Sequence, residues 1–376
     1  MEKRILALVI FISLAVFNQK TFAQLEVKTI LSSMYDDNVN NNLLKLNSNI
    51  SSLNLMAGYK WENDNAGLRL FYDGSFSYYA SMLERSYHFH SANMEYTRLF
   101  GEENQNIFNA GGSYGTGINR EEYSIFNHDL YSAYVNYKYF PANWFINKFG
   151  YSFRSMNFST LSDLSYTEHV LFVHTAFAIT EATTLIFQTD LGSKFYSSSI
   201  VSNNDGFMPK GKNSLMPAVS QLTETIKVGQ KINDVTGLSL TSKYQWNIRK
   251  EARYLSSDYG LISDDELFDD HYGNEGLHTN IMLTRIISES VTAKLTMGIQ
   301  NKLYSTLPAY DLIGNMIADQ RVDKKSYLNF QIQKNFETLG FSVKAAADII
   351  YNKSNDSFYN YHNNAFMLEV EVPLLF

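Results

Sequence analysis

The chain has 376 residues, a formal net charge of −7, no cysteine, 26 Tyr, 26 Phe and only 5 Pro. The lack of Cys excludes disulfides, thiolate metal sites and thiol nucleophiles. A modest negative charge gives nucleic acid no electrostatic handhold. Abundant aromatics and scarce proline favour pleated structure, and aromatic rings also sit well where a membrane meets water.

The chain opens with Met1-Glu2-Lys3-Arg4, an apolar run from Ile5 to Phe17, and then a polar stretch reaching Ala23-Gln24. A basic start, about a dozen apolar residues and a small residue are the parts of a secretory signal peptide. Cleavage is expected after Ala23, which leaves 24–376 as one domain. The apolar run falls short of the roughly 20 residues that a spanning helix needs. No Cys follows it, so it does not read as a lipoprotein signal. Beyond Phe17 no apolar run approaches helical spanning length.

From there the sequence alternates with period two, which means β-strands. About sixteen candidates of roughly 10–16 residues follow one another. They lie near 26–35, 49–61, 67–79, 87–99, 106–117, 129–140, 144–156, 165–179, 183–196, 218–232, 237–249, 276–288, 291–304, 325–336, 340–353 and 365–376. Leu53, Leu55, Ala57, Tyr59 and Trp61 oppose Ser52, Asn54, Met56, Gly58 and Lys60. Leu238, Leu240, Tyr244, Trp246 and Ile248 oppose Ser239, Thr241, Lys243, Gln245, Asn247 and Arg249. The 218–232 segment fits worst, since Glu224 shares a face with Leu222, Ile226 and Val228, and a bulge or a misplaced boundary is expected there.

The connections sort by parity. Short turns near 62–65, 101–104, 141–143, 180–182, 233–236, 288–290 and 337–339 alternate with longer polar loops, the longest at 197–217, 250–275 and 305–324. Short–long alternation belongs to transmembrane barrels, with tight periplasmic turns and longer outer loops. A soluble exported β-sandwich, a lesser alternative, has no reason to sort its loops in this way. The expected fold is all-β: one transmembrane antiparallel β-barrel of about sixteen strands, 14–18 by rough count.

The last stretch, Phe366 to Phe376, has Leu374, Val372, Val370, Leu368 and Phe366 on one face and Glu369 and Glu371 on the other. A chain ending on an aromatic at the close of such a strand resembles the C-terminal signal of Gram-negative outer-membrane β-barrels. In texture, rich in Asn and Tyr and free of Cys, the chain resembles barrels of the Bacteroidota. The resemblance implies residence in the outer membrane, contact with its lipid, and recognition of Phe376, Leu374 and Val372 by the barrel-assembly machinery. The closing strand should pair with the first.

If apolar faces meet lipid, the opposite faces line the lumen. The basic candidates are Lys60, Arg69, Lys138, Lys148, Arg154, Lys194, Lys227, Lys243, Arg249, Lys294, Lys302 and Lys344. The acidic ones are Asp73, Glu95, Glu168, Asp190, Asp348, Glu369 and Glu371. This balance favours anionic solutes in a water-filled pore, unless the charges pair across strands and merely solvate the wall.

No cofactor is expected. The acidic 250–275 loop and the Asp36-Asp37-Asn38 stretch match no calcium-loop spacing and read as solvated surface. His88 and His90 near Ser86 and Ser91, and His271 after Asp269 and Asp270, form no recognisable nucleophile–base set, so no enzyme is expected. About sixteen strands leave an aqueous bore by default. The leading reading is a porin-like channel for small polar, in particular anionic, solutes. The alternative is a closed or plugged barrel serving a larger outer-membrane assembly or secretion complex. Homo-oligomerisation stays open.

Overall fold

The computed structural model describes residues 22–101, 105–162, 165–197, 218–250, 271–305 and 307–375. Expectations resting on the signal-peptide core, the 198–217 loop, the Asp-rich 251–270 stretch and Phe376 lie outside the described residues.

Sixteen strands form a closed antiparallel barrel. In chain order the first half comprises β1 (Phe22–Asp36), β2 (Ser48–Glu62), β3 (Ala66–Tyr79), β4 (Tyr87–Phe100), β5 (Asn106–Asn119), β6 (His128–Ala142), β7 (Phe145–Phe158), β8 (Tyr166–Thr180) and β9 (Thr183–Tyr196). Then come β10 (Ala218–Asn233), β11 (Thr236–Lys250), β12 (Gly276–Ser288) and β13 (Val291–Tyr304). A small separate hairpin, β14 (Ala309–Tyr310) with β15 (Met316–Ala318), precedes β16 (Arg321–Phe336), β17 (Phe341–Ser354) and β18 (Tyr361–Leu375).

Each strand pairs with its sequence neighbour, β13 pairing with β16 past the small hairpin, and the seam joins β1 to β18. There Glu26 to Asp36 run opposite Leu375 to Ala365. Closure matters physically, because an open edge in hydrocarbon would leave a row of amides without partners.

Three strand starts lie four residues before their expected places, that of β18 at Tyr361 among them. The first strand begins at Phe22 rather than near residue 26, with Ala23 opposite Trp61. The strand expected from 325 begins at Arg321, because Arg321 and Asp323 continue the alternation into what looked like loop. The expected irregularity in β10 is present as register shifts at Ser220/Gln221 and Lys231/Asn233. Glu224 nevertheless stays on the same face as Leu222 and Ile226, since pairing around it is regular.

Inside and outside follow from a chord. Arg69 on β3 reaches over β2 to Glu26 on β1, Nε to Oε2 2.8 Å, which only the concave face permits. The other face is a continuous apolar surface: Leu31, Met297, Ile299 and Leu368 are 53%, 54%, 55% and 53% exposed. A surface of this kind far exceeds the apolar patch a water-soluble monomer tolerates. In hydrocarbon it carries no penalty.

Candidate functional site

The inner wall divides into two electrostatic halves. From β17 through β4 every inward lysine and arginine is paired with a carboxylate. Lys344 meets Glu369 at 2.7 Å, Lys28 meets Glu371 at 2.8 Å, and Lys60 meets Glu62 at 2.5 Å. Arg69 lies between Glu26 at 2.8 Å and Glu95 at 3.5 Å. Such half-exposed pairs contribute only about 0.2–1 kcal/mol each. Asp73 and Asp348 face inward there as well, so acids outnumber cations on that side of the bore.

The opposite half carries a single cross-strand row. Successive register partners run Lys138, Lys148, His174, Gln188, Thr225, Lys243, His278, Gln300, Lys325 and Asn352, on β6 through β13, β16 and β17. All face inward, and none is acidic. Because strands tilt in a barrel, a row perpendicular to them climbs the wall. Lys138 stands near the short-turn end of β6, while Lys325 stands near the long-loop end of β16. The row therefore rises from one mouth to the other. Among the described residues no carboxylate lies within ion-pairing distance of Lys138, Lys148 or Lys243. Lys138 and Lys148 instead rest over the rings of Phe140 and Phe172, 4.7 and 5.4 Å from the centroids. Lys227, opposite Ile186 and Thr241, and Lys294, opposite Thr284 and Gln331, flank the row.

The long-loop mouth is narrowed by a folded-in segment. Residues 271–275 lie against the wall, where Gln221 Nε2 donates to the His271 carbonyl at 2.9 Å and Gln245 Nε2 donates to the Asn274 carbonyl at 2.9 Å. Tyr272, 1% exposed, is the wedge of this segment, packed with Met156, Phe158, Tyr166, Tyr196 and Val219. Its hydroxyl donates to Glu168 Oε1 at 2.7 Å. Lys194 Nζ sits 3.8 Å from the Tyr166 ring centroid and 5.9 Å from that of Tyr272. The wall opens for the wedge at Gly192, where a Cβ would collide with the Tyr272 hydroxyl. On the other side of the mouth Arg321 is sandwiched between the rings of Tyr304 and Tyr359 and bonded to Asp323.

Every lumen candidate from the sequence except Arg249 falls on the inward register. They do not act as one set. Lys60, Arg69 and Lys344 are paired with acids, and Glu369 and Glu371 with Lys344 and Lys28. Arg154 and Lys194 both stand opposite Glu168, and Lys302 stands opposite Asp323. Arg249, expected in the lumen, is set by the register shift at Ser220/Gln221 opposite Ser220, on the outward phase at the long-loop end. Asp348 accepts from Asn329 Nδ2 at 2.6 Å and Asp190 from Gln188 Nε2 at 2.9 Å, while Asp73 faces Met56 and Ser91. Sequence reasoning missed Glu26, Lys28, His174, His278, Arg321 and Lys325. Each lies on the polar phase of its strand, so the alternation itself could have found them.

The other candidates come apart. His88 and His90 face outward and bond each other, Nδ1 to Nε2 2.7 Å, whereas Ser91 faces inward. In the first loop Asp37 takes both the backbone N–H and the side-chain amide of Asn364 at 2.7 Å, and the Asn38 amide donates to the Asn42 carbonyl at 2.8 Å. These groups tie the loop to the wall. Among the described residues no three acidic or imidazole side chains gather as a metal site.

No family model and no curated protein matches the chain. Solved structures do match. OpdK of Pseudomonas aeruginosa, solved with vanillate, aligns at TM-score 0.52 and 10% identity over 94% of this chain and 99% of that one. OccAB1 of Acinetobacter baumannii aligns at 0.53 and 9%, over 94% and 96%. The outer membrane protein OprD of Pseudomonas aeruginosa aligns at 0.51 and 10%, over 94% of each. At this identity the likeness is one of fold, that of outer-membrane channels.

Proposed function

We propose that the chain is an exported outer-membrane channel, not an enzyme, that passes small anionic solutes by diffusion. The observation that carries the anionic preference is the rising row Lys138, Lys148, Lys243 and Lys325, with His174 and His278 between them. Its lysines on β6, β7 and β11 lack acidic partners among the described residues, while every inward lysine and arginine of the facing half-wall is paired with a carboxylate. A ring or row of fixed cations in a narrow bore raises the local anion concentration and lowers the barrier to anion entry. A small aromatic carboxylate such as the vanillate found with OpdK belongs to the solute class this wall would draw. Ammonium, aromatic ring and amide along one track offer such a molecule charge, face and hydrogen bonds together.

The test is selectivity across a planar bilayer under a salt gradient. Lys148→Glu with Lys243→Glu should move the reversal potential from the anion side toward the cation side, with conductance changed by roughly twofold or less. An unchanged reversal potential would remove the row from the mechanism.

The second reading, a closed barrel serving a larger assembly, is supported by one feature, the 271–275 segment packed into the mouth. The two separate on current. A purified barrel that shifts on heating in gels yet carries no ions would favour the accessory role.

A further inference from the structure

One arc of the outer surface departs from the apolar pattern. Lys324 on β16 and Lys353 on β17 are direct register partners on the outward face. Both are exposed and lie within a few residues of the long-loop ends of their strands. Like charges facing each other across an antiparallel pair repel. Among the described residues no carboxylate lies within ion-pairing distance of either.

The arc continues onto the neighbouring strand and the first loop. Tyr351 and His362 stack on the same face with ring centroids 6.1 Å apart. Lys45 Nζ lies 2.9 Å from His362 Nδ1. The loop that brings Lys45 there is fixed, not draped: Asn38 Nδ2 bonds the His362 carbonyl at 3.1 Å, and the Leu43 N–H bonds the Phe358 carbonyl at 2.9 Å. Beside Lys45, Leu43, Leu44 and Leu46 are exposed. Elsewhere among the described residues of this rim Arg120 pairs with Glu121, and the outward Asp129 takes the Tyr114 hydroxyl.

Resting on the membrane-spanning reading above, we propose that this arc is a docking surface for a phosphate-bearing glycolipid of the outer leaflet. Lys324 and Lys353 grip the phosphate between them, which removes their mutual repulsion. Lys45 flanks the headgroup, and Leu43, Leu44 and Leu46 sit among the upper acyl carbons. The height fits, because outward charges at strand ends fall at the headgroup level, where ammonium groups meet anionic lipid.

The experiment uses the full-length barrel in neutral detergent micelles, with diphosphoryl lipid A or its fully dephosphorylated form as the probe, read by native mass spectrometry. Wild type should retain the diphosphoryl form and not the dephosphorylated one. Lys324→Glu with Lys353→Glu should weaken retention by roughly tenfold or more. Lys45→Glu should weaken it less, and Lys334→Glu, an outward lysine at the opposite end of β16, should leave it unchanged. Equal retention of both lipids, or full retention by the double variant, would overturn the proposal. A wild-type protein that showed no heat-dependent gel shift and no sedimentation with outer membrane would instead overturn the membrane reading beneath it. The gel shift also certifies that each variant is folded.

Discussion

Gly192 and Tyr272 illustrate how single residues set the bore. The wall residue has no side chain because a tyrosine from another segment occupies that space, and the tyrosine hydroxyl is satisfied by Glu168. Replacing Gly192 with Val should push the ring out of its seat and loosen the 271–275 segment. Tyr272→Ala should remove the wedge outright. Both variants should raise single-channel conductance, by roughly 1.5- to 2-fold if this mouth is the narrowest part. Conductance unchanged in Tyr272→Ala would put the constriction elsewhere. A loss of current in Gly192→Val with a normal Tyr272→Ala would mean the ring moves into the path, not out of it. Nothing in the sequence pointed to Tyr272. Its neighbours Met156, Tyr166 and Tyr196 are apolar residues on inward phases, and such exceptions to alternation were the available trace of a plug side chain lying against them.

At the scale of elements, alternation was enough to find all sixteen barrel strands, most to within a residue or two at each end, because one face had to satisfy lipid and the other water. It failed where a second requirement intruded. Arg321 and Asp323 looked like loop because they are charged, yet they extend β16 under the Tyr304 and Tyr359 rings. The β14–β15 hairpin is too short to leave a period. The basic row was invisible for a different reason, since strand register is not written in any one strand. Strand β10 is the informative anomaly. Glu224 faces outward near mid-strand, opposite Tyr244, and among the described residues only the Thr189 hydroxyl donates to it, at 2.8 Å. A carboxylate facing lipid is unfavourable, though less so than a lysine or arginine. Glu224→Leu should therefore stabilise the barrel by about 1 kcal/mol, measured as the shift in the guanidinium unfolding midpoint in lipid vesicles. A loss of stability instead would mean that the carboxylate has a partner on a neighbouring molecule.

At the scale of the whole molecule, the seam between β1 and β18 closes the barrel, and we propose that the closing strand guides assembly. Deleting Phe376 should lower the amount of heat-modifiable barrel in the outer membrane while leaving the conductance of each surviving channel unchanged. Normal barrel levels after the deletion would detach the chain end from assembly. The ladder of cations across β6 to β17 has a further consequence at this scale. A slip of one residue in any of these strands would turn its inward side chains onto the lipid face. For β6, β7 or β11 that would carry a lysine toward hydrocarbon, at about 2–4 kcal/mol each near the midplane and less toward the interfaces. The residues proposed to attract solutes also proofread the weave: a barrel closed in the wrong register would be penalised by the same charges that let the correct one conduct.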